Sequence, residues 1–236
     1  SEKDSDEHLS MLYACSFEKR DALDSLIDLG RKTEPLKKSD SLLFCLACKY
    51  GYISIVKVLL EMGVDANTVE GIKTALTFAC KGDQLDVAKL LVKYGSGVES
   101  KYDDTITPLI AATKNGNIEM MTWLLKCGAD IDSTDFYSIP ALCHASKKGH
   151  IAAFEFLIAQ GASYTPSDKY RVNQFFLSIC DSKNLSVFNR IMDLGHLSNG
   201  EILWYICDWH EEDSEGLLEQ AVKAGTDVNF KDLIGN

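Results

Sequence analysis

With 46% hydrophobic and 25% charged residues, 16 Gly and only 4 Pro in 236, the chain is neither collagenous nor low in complexity, and it is expected to fold. A formal charge of −11 and a pI near 4.9 argue against nucleic acid as a partner, because backbone phosphates call for a basic field. No apolar run approaches the roughly 18 residues of a membrane span, since even Ile151 to Ala159 is broken by Glu155, so no membrane insertion is expected. The opening Ser1-Glu2-Lys3-Asp4 lacks the basic-then-apolar order of a secretory signal. A reducing compartment, cytoplasmic or nuclear, is the expectation.

Along the chain, an apolar pair followed by two residues and a glycine recurs. Leu26-Ile27 precedes Gly30, Leu59-Leu60 Gly63, Leu91-Val92 Gly95, Leu124-Leu125 Gly128, Leu157-Ile158 Gly161, Ile191-Met192 Gly195, and Ala221-Val222 Gly225. The glycines are 33, 32, 33, 33, 34 and 30 residues apart, a period of about 33. Each is expected to stop a helix by taking a left-handed conformation that a Cβ disfavours. A second helix precedes that one in each period. In the clearest copy Thr107 caps it, Pro108 opens it, Asn115-Gly116-Asn117 turns the chain, and Ile118 to Lys126 forms the following helix. Small residues recur on the first helix, at Ala47-Cys48, Ala79-Cys80, Ala111-Ala112 and Ala145-Ser146, where a neighbouring repeat must come close.

These features resemble the ankyrin repeat family, whose motif runs Thr-Pro-Leu-His-Leu-Ala-Ala, two variable residues, Gly-His, an apolar helix ending Leu-Leu, and Gly-Ala-Asp. Thr107 to Asp130 and Thr74 to Leu91 match best. Leu42 to Asp65 and Pro140 to Ala162 keep the frame, and Leu9 to Gly30, Gln174 to Gly195 and the stretch after Ser198 keep it loosely. The resemblance implies an all-α solenoid of about seven helix-turn-helix units joined by β-hairpin fingers, with residues 1–236 as one domain. A first repeat at about 8–36 is expected to be the cap, because Glu18, Lys19, Arg20, Asp21, Asp24 and Asp28 suit a face in water. A divergent repeat at about 198–231 starts with Ser198 and Glu201 at capping-box spacing and is expected to lack its finger. Asp232 to Asn236 leads, in the family, into another Thr-Pro-Leu helix, so the array is expected to continue beyond residue 236.

Catalytic chemistry has no visible candidate: the chain carries no phosphate-cradling Gly loop, zinc-protease His pair or nucleophile elbow. No enzyme activity and no cofactor are expected. Cys45 and Cys48 form a C-x-x-C inside a first helix, where core packing explains them better than redox chemistry. Cys15, Cys48, Cys80, Cys180 and Cys207 fall at one aligned position and are expected to line a buried column. His8, His144, His150, His196 and His210 lack metal-ligand spacing, and Glu211-Glu212-Asp213 lacks the alternation of a calcium loop.

In ankyrin domains the two residues before the inter-helix glycine sit on the concave face with the finger tips. The resemblance therefore assigns partner-binding positions to Lys49-Tyr50, Lys81 with Gly82, Lys114-Asn115 and Lys147-Lys148, then Asp181 with Ser182 or Lys183. Four successive lysines, with helices about 8 to 10 Å apart, would make a positive stripe across an acidic protein. Asp208, Glu211, Glu212 and Asp213 would make the opposite end negative. Tyr102, Phe136, Tyr137 and Tyr170 fall at finger tips, and Trp209 on the same face, while Trp204 fits the core. The alternative is that the lysines only solubilise a helix face and the aromatics pack on the next finger. Asn67 and Asn229, by the same resemblance, are candidate substrates of an asparaginyl hydroxylase, although turn hydrogen bonding is the preferred role. The function so implied is a non-catalytic interaction module, scaffold or adaptor, binding a protein or peptide segment with acidic residues. The rival is a regulatory region of a larger enzyme, kinase or channel, contacting further domains of its own chain.

Overall fold

The computed structural model describes residues 38–61, 63–71, 73–99 and 106–163, together with Arg190, Glu219 and Lys223. Eight helices and one small hairpin lie among them: α1 (Lys38–Tyr50), α2 (Ile53–Glu61), β1 (Val69–Glu70), β2 (Lys73–Thr74), α3 (Ala75–Lys81), α4 (Leu85–Lys93), α5 (Pro108–Lys114), α6 (Ile118–Lys126), α7 (Ala141–Lys147) and α8 (Ile151–Ala159). The chain divides into two compact units, one of Ser1–Asn115 with Glu119–Ala129 and one of Gly116–Ile118 with Asp130–Asn236. The expected cap at 8–36, the divergent repeat at 198–231 and the chain's last residues fall outside the described residues.

The helix boundaries have local causes. Thr74 and Thr107 hold extended backbone and accept hydrogen bonds from the N–H groups of Thr77 (3.1 Å) and Ile110 (3.2 Å), so α3 and α5 start where the sequence places them. Leu42 stands at the aligned position and has no side-chain oxygen to cap with. There α1 runs on toward the N-terminus to Lys38, in place of the finger that the repeat frame implies before Leu42. The α7 start is taken by Pro140, which supplies no side-chain cap but has a suitable extended backbone. At the other end of the pattern, Gly63, Gly95, Gly128 and Gly161 all have φ between 90° and 93°, as the recurring stop requires. Gly30, Gly195 and Gly225 are outside the described residues.

In the first unit α3 packs between α1 and α5, and α2 packs on α4. Small residues make that approach possible: Ala47, Cys48, Ala75, Ala79, Cys80 and Ala112 are fully or almost fully buried. Leu76, Leu91, Leu109 and Ile110 fill the space between, each contributing about 1.5 to 3 kcal/mol by leaving water. In the second unit α7 packs on α8 around Leu142, Ala145, Phe154 and Leu157. Arg190 Nε donates to Glu155 Oε1 at 2.7 Å, a link from α8 to the chain beyond residue 163.

Polar staples tie successive repeats at the loops. Asn67 Oδ1 accepts from the Gly97 N–H (2.9 Å), and its Nδ2 donates to the Gly95 carbonyl (3.2 Å). Asp132, at the same position in the second unit, accepts from the Ser163 N–H (2.8 Å) and hydroxyl (2.6 Å). Asn67 therefore does the turn work expected of it, with Asp65 Oδ1 accepting its N–H at 2.8 Å, and it also bridges to the next repeat.

Candidate protein-interaction surface

Among the described residues, each inner helix carries a lysine in its last turn. Lys49, Lys81, Lys114 and Lys147 occupy the last turns of α1, α3, α5 and α7. A cation there complements the partial negative charge of the helix C-terminus, so these lysines have a structural reason to recur besides any partner. In the first unit the three ends are in register. A Cβ on Gly82 would overlap the Lys49 carbonyl oxygen, and Asn115 Nδ2 donates to the Lys81 carbonyl at 3.1 Å and to Asp83 Oδ1 at 2.9 Å. Lys81 is exposed, Lys49 and Lys114 are half-buried, and Lys147 and Lys148 are exposed in the second unit. Asn115, although exposed, commits its amide to the preceding helix end.

The turn after α3 departs from its neighbours. Gly51, Gly116 and Gly149 carry the left-handed residue of the other turns, whereas here Asp83 takes it with φ 59°. Aspartate is among the few residues with a Cβ that tolerate this region. Gly82 itself has φ −91°, and what requires glycine there is the close backbone of Lys49.

Two aromatic clusters stand out from the core. Tyr50 is 57% exposed, with its ring 6.2 Å from that of Tyr52 and Lys49 Nζ 5.0 Å from its centroid. Phe136 and Tyr137 are 59% and 64% exposed and meet edge to face at 5.1 Å. Tyr102, Tyr170, Trp204, Trp209 and the acidic group at Asp208 to Asp213 lie outside the described residues, as do Asp181, Ser182 and Lys183.

Beneath Phe136 and Tyr137 lies a pair that the sequence did not announce. Asp135 Oδ1 accepts from the N–H groups of Tyr137 and Ile139, both at 3.0 Å, and its Oδ2 lies 2.9 Å from His144 Nε2. A carboxylate only accepts, so Nε2 carries the proton. Both side chains are 8% exposed. The Asp135 N–H also donates to the Ile139 carbonyl and the Ser138 N–H to the Asp135 carbonyl, closing the finger on itself. The available signal was a histidine within the small and apolar run Ala141-Leu142-Cys143-His144-Ala145, since a buried imidazole needs a partner.

The thiols of Cys45, Cys48 and Cys80 are core residues. Cys45, Cys48 and Cys80 are buried and free, and burial pushes the Cys45 thiol up to about 12, with the Glu70 carboxylate adding to the shift. Cys48 and Cys80 are raised further, again by burial first. Cys48 and Cys80 thus sit in the column expected of them, while Cys15, Cys180 and Cys207 are outside the described residues. Among the described residues no three His, Cys, Asp or Glu side chains gather as a metal set, and no helix is long and apolar enough to cross a membrane.

The family model for ankyrin repeats (3 copies) matches residues 11–104 and 94–168. The chain belongs to the ankyrin repeat family. Ankyrin repeats stack as helix-turn-helix units in a solenoid, generally bind proteins, and typically carry no catalysis of their own. No curated protein matches the chain significantly.

Proposed function

We propose that this ankyrin array is a scaffold or adaptor that holds an acidic segment of a partner protein along the lysine-bearing ends of its inner helices. The reading rests on one observation: Lys49, Lys81 and Lys114 end three adjacent helices held in register, and Lys147 ends the equivalent helix of the second unit. Charges about 8 to 10 Å apart reinforce one another, because that spacing is close to the Debye length at physiological salt. An overall charge of −11 repels acidic segments from the rest of the surface and so sharpens the contrast at this row. Cytoplasm or nucleus is the fitting compartment.

Selection from a displayed library of random peptides tests this without knowing the partner. The wild type is expected to enrich Asp- and Glu-bearing peptides, and the Lys81→Glu, Lys114→Glu double variant to lose that enrichment. The same acidic peptides recovered with both proteins, or no charge bias with the wild type, would refute it.

A further inference from the structure

One position beyond the lysines, the first unit presents a second row: Tyr50, Gly82 and Asn115. The middle member has no side chain, and the ends of α1 and α3 meet there backbone to backbone. The middle of the row is therefore backbone alone, closed by the Lys49 carbonyl. On the Tyr50 side of the row one turn carries three large side chains. Tyr50 is 57% exposed, Ile53 is 43% exposed, and the Tyr52 ring stands 6.2 Å from that of Tyr50. Isolated surface hydrophobics call for no explanation, whereas three on one turn form a local apolar patch. Gln84 covers the Gly51 backbone below them, its Nε2 donating to the Gly82 carbonyl at 2.6 Å, which fixes the floor between the two turns.

The surrounding charge is mixed but ordered. Lys49 lies over the Tyr50 ring, and Lys81 and Lys114 continue the row. Asp83 is the one carboxylate of these three turns, and its Oδ1 accepts from Asn115 Nδ2. Lysines alone would hold any polyanion. An apolar turn set within them adds a demand that only a side chain can meet.

We infer that the turn Lys49–Ile53 is the anchor subsite for one large apolar side chain, aromatic or branched aliphatic, of the acidic segment. This rests on the lysine row being that segment's site. Charge complementarity names the occupant: the carboxylates lie against Lys81 and Lys114 while the apolar residue lies on the Tyr50 and Tyr52 rings.

The same displayed library tests the inference, using the wild type and Tyr50→Ser, a change at an exposed position whose folding is checked by thermal unfolding. Wild-type peptides are expected to share one apolar position at a fixed distance from their acidic residues. Tyr50→Ser is expected to keep the acidic bias, lose the apolar position, and bind a wild-type-selected peptide about tenfold more weakly. An unchanged apolar position with Tyr50→Ser, or acidic peptides with no preferred apolar position from the wild type, would overturn this inference alone. Peptides with no acidic bias would overturn the lysine reading and this inference with it.

Discussion

The two exposed aromatic pairs are held out of the core by different means. Tyr50 and Tyr52 flank the turn after α1, under a lysine that recurs in every described repeat and close to the equivalent turn of the next one. Phe136 and Tyr137 stand on a finger fixed from below by Asp135 and His144. The hairpin of the first unit shows how much of that arrangement is local. Glu70 occupies the position of Asp135, but it accepts from the Ser41 hydroxyl at 2.6 Å instead of a histidine, and its finger is one residue shorter and has no aromatic tip. Charge is what these repeats share, and shape is what single repeats add.

The largest expected effect comes from removing the support of the second pair. Asp135→Ala leaves two finger N–H groups and a buried imidazole without their acceptor, and is expected to cost roughly 3 kcal/mol of stability. Residue-resolved hydrogen exchange should then show the Tyr137 and Ile139 amides losing protection before the α8 core. Unchanged protection at those amides would mean that the finger does not depend on the pair.

A smaller effect depends on pH. The Cys45, Cys48 and Cys80 thiols sit above their ordinary value of 9.0 in the folded chain, so the unfolded chain releases their protons first as pH rises. Their contribution is complete below pH 9.0 and declines above it, through about 12 for Cys45. Amides of α1 and α3 are expected to open progressively from about pH 9 upward, once exchange rates are corrected for base catalysis. A flat profile over α1 and α3 would contradict the burial of these thiols.

The sequence shows clearly whatever it repeats. Glycine stops are compared seven times along one chain, and small inner-helix residues and terminal lysines four times, which is why the α3 and α5 starts, the bounds of α6 and the Cys48 and Cys80 positions were legible. Features that occur once were not. The Asp135–His144 pair joins residues nine apart through a finger whose shape no pattern reveals. The extension of α1 to Lys38 follows from a missing cap at Leu42, a signal that lies in an absent oxygen. Glycine at residue 82 reads as a turn residue, yet what demands it is the backbone of Lys49, thirty-three residues earlier. Asn115 reads as a surface residue because its hydrogen bonds reach another repeat.

The most direct measurement is the affinity of one selected acidic peptide as a function of salt, for the wild type and for the Lys81→Glu, Lys114→Glu variant. With the lysine row as the site, wild-type affinity falls steadily as salt rises, and the variant binds too weakly to titrate at any salt concentration. Salt-independent binding, or equal affinity for the two proteins, would show that the row of lysines serves only the helix ends that carry it.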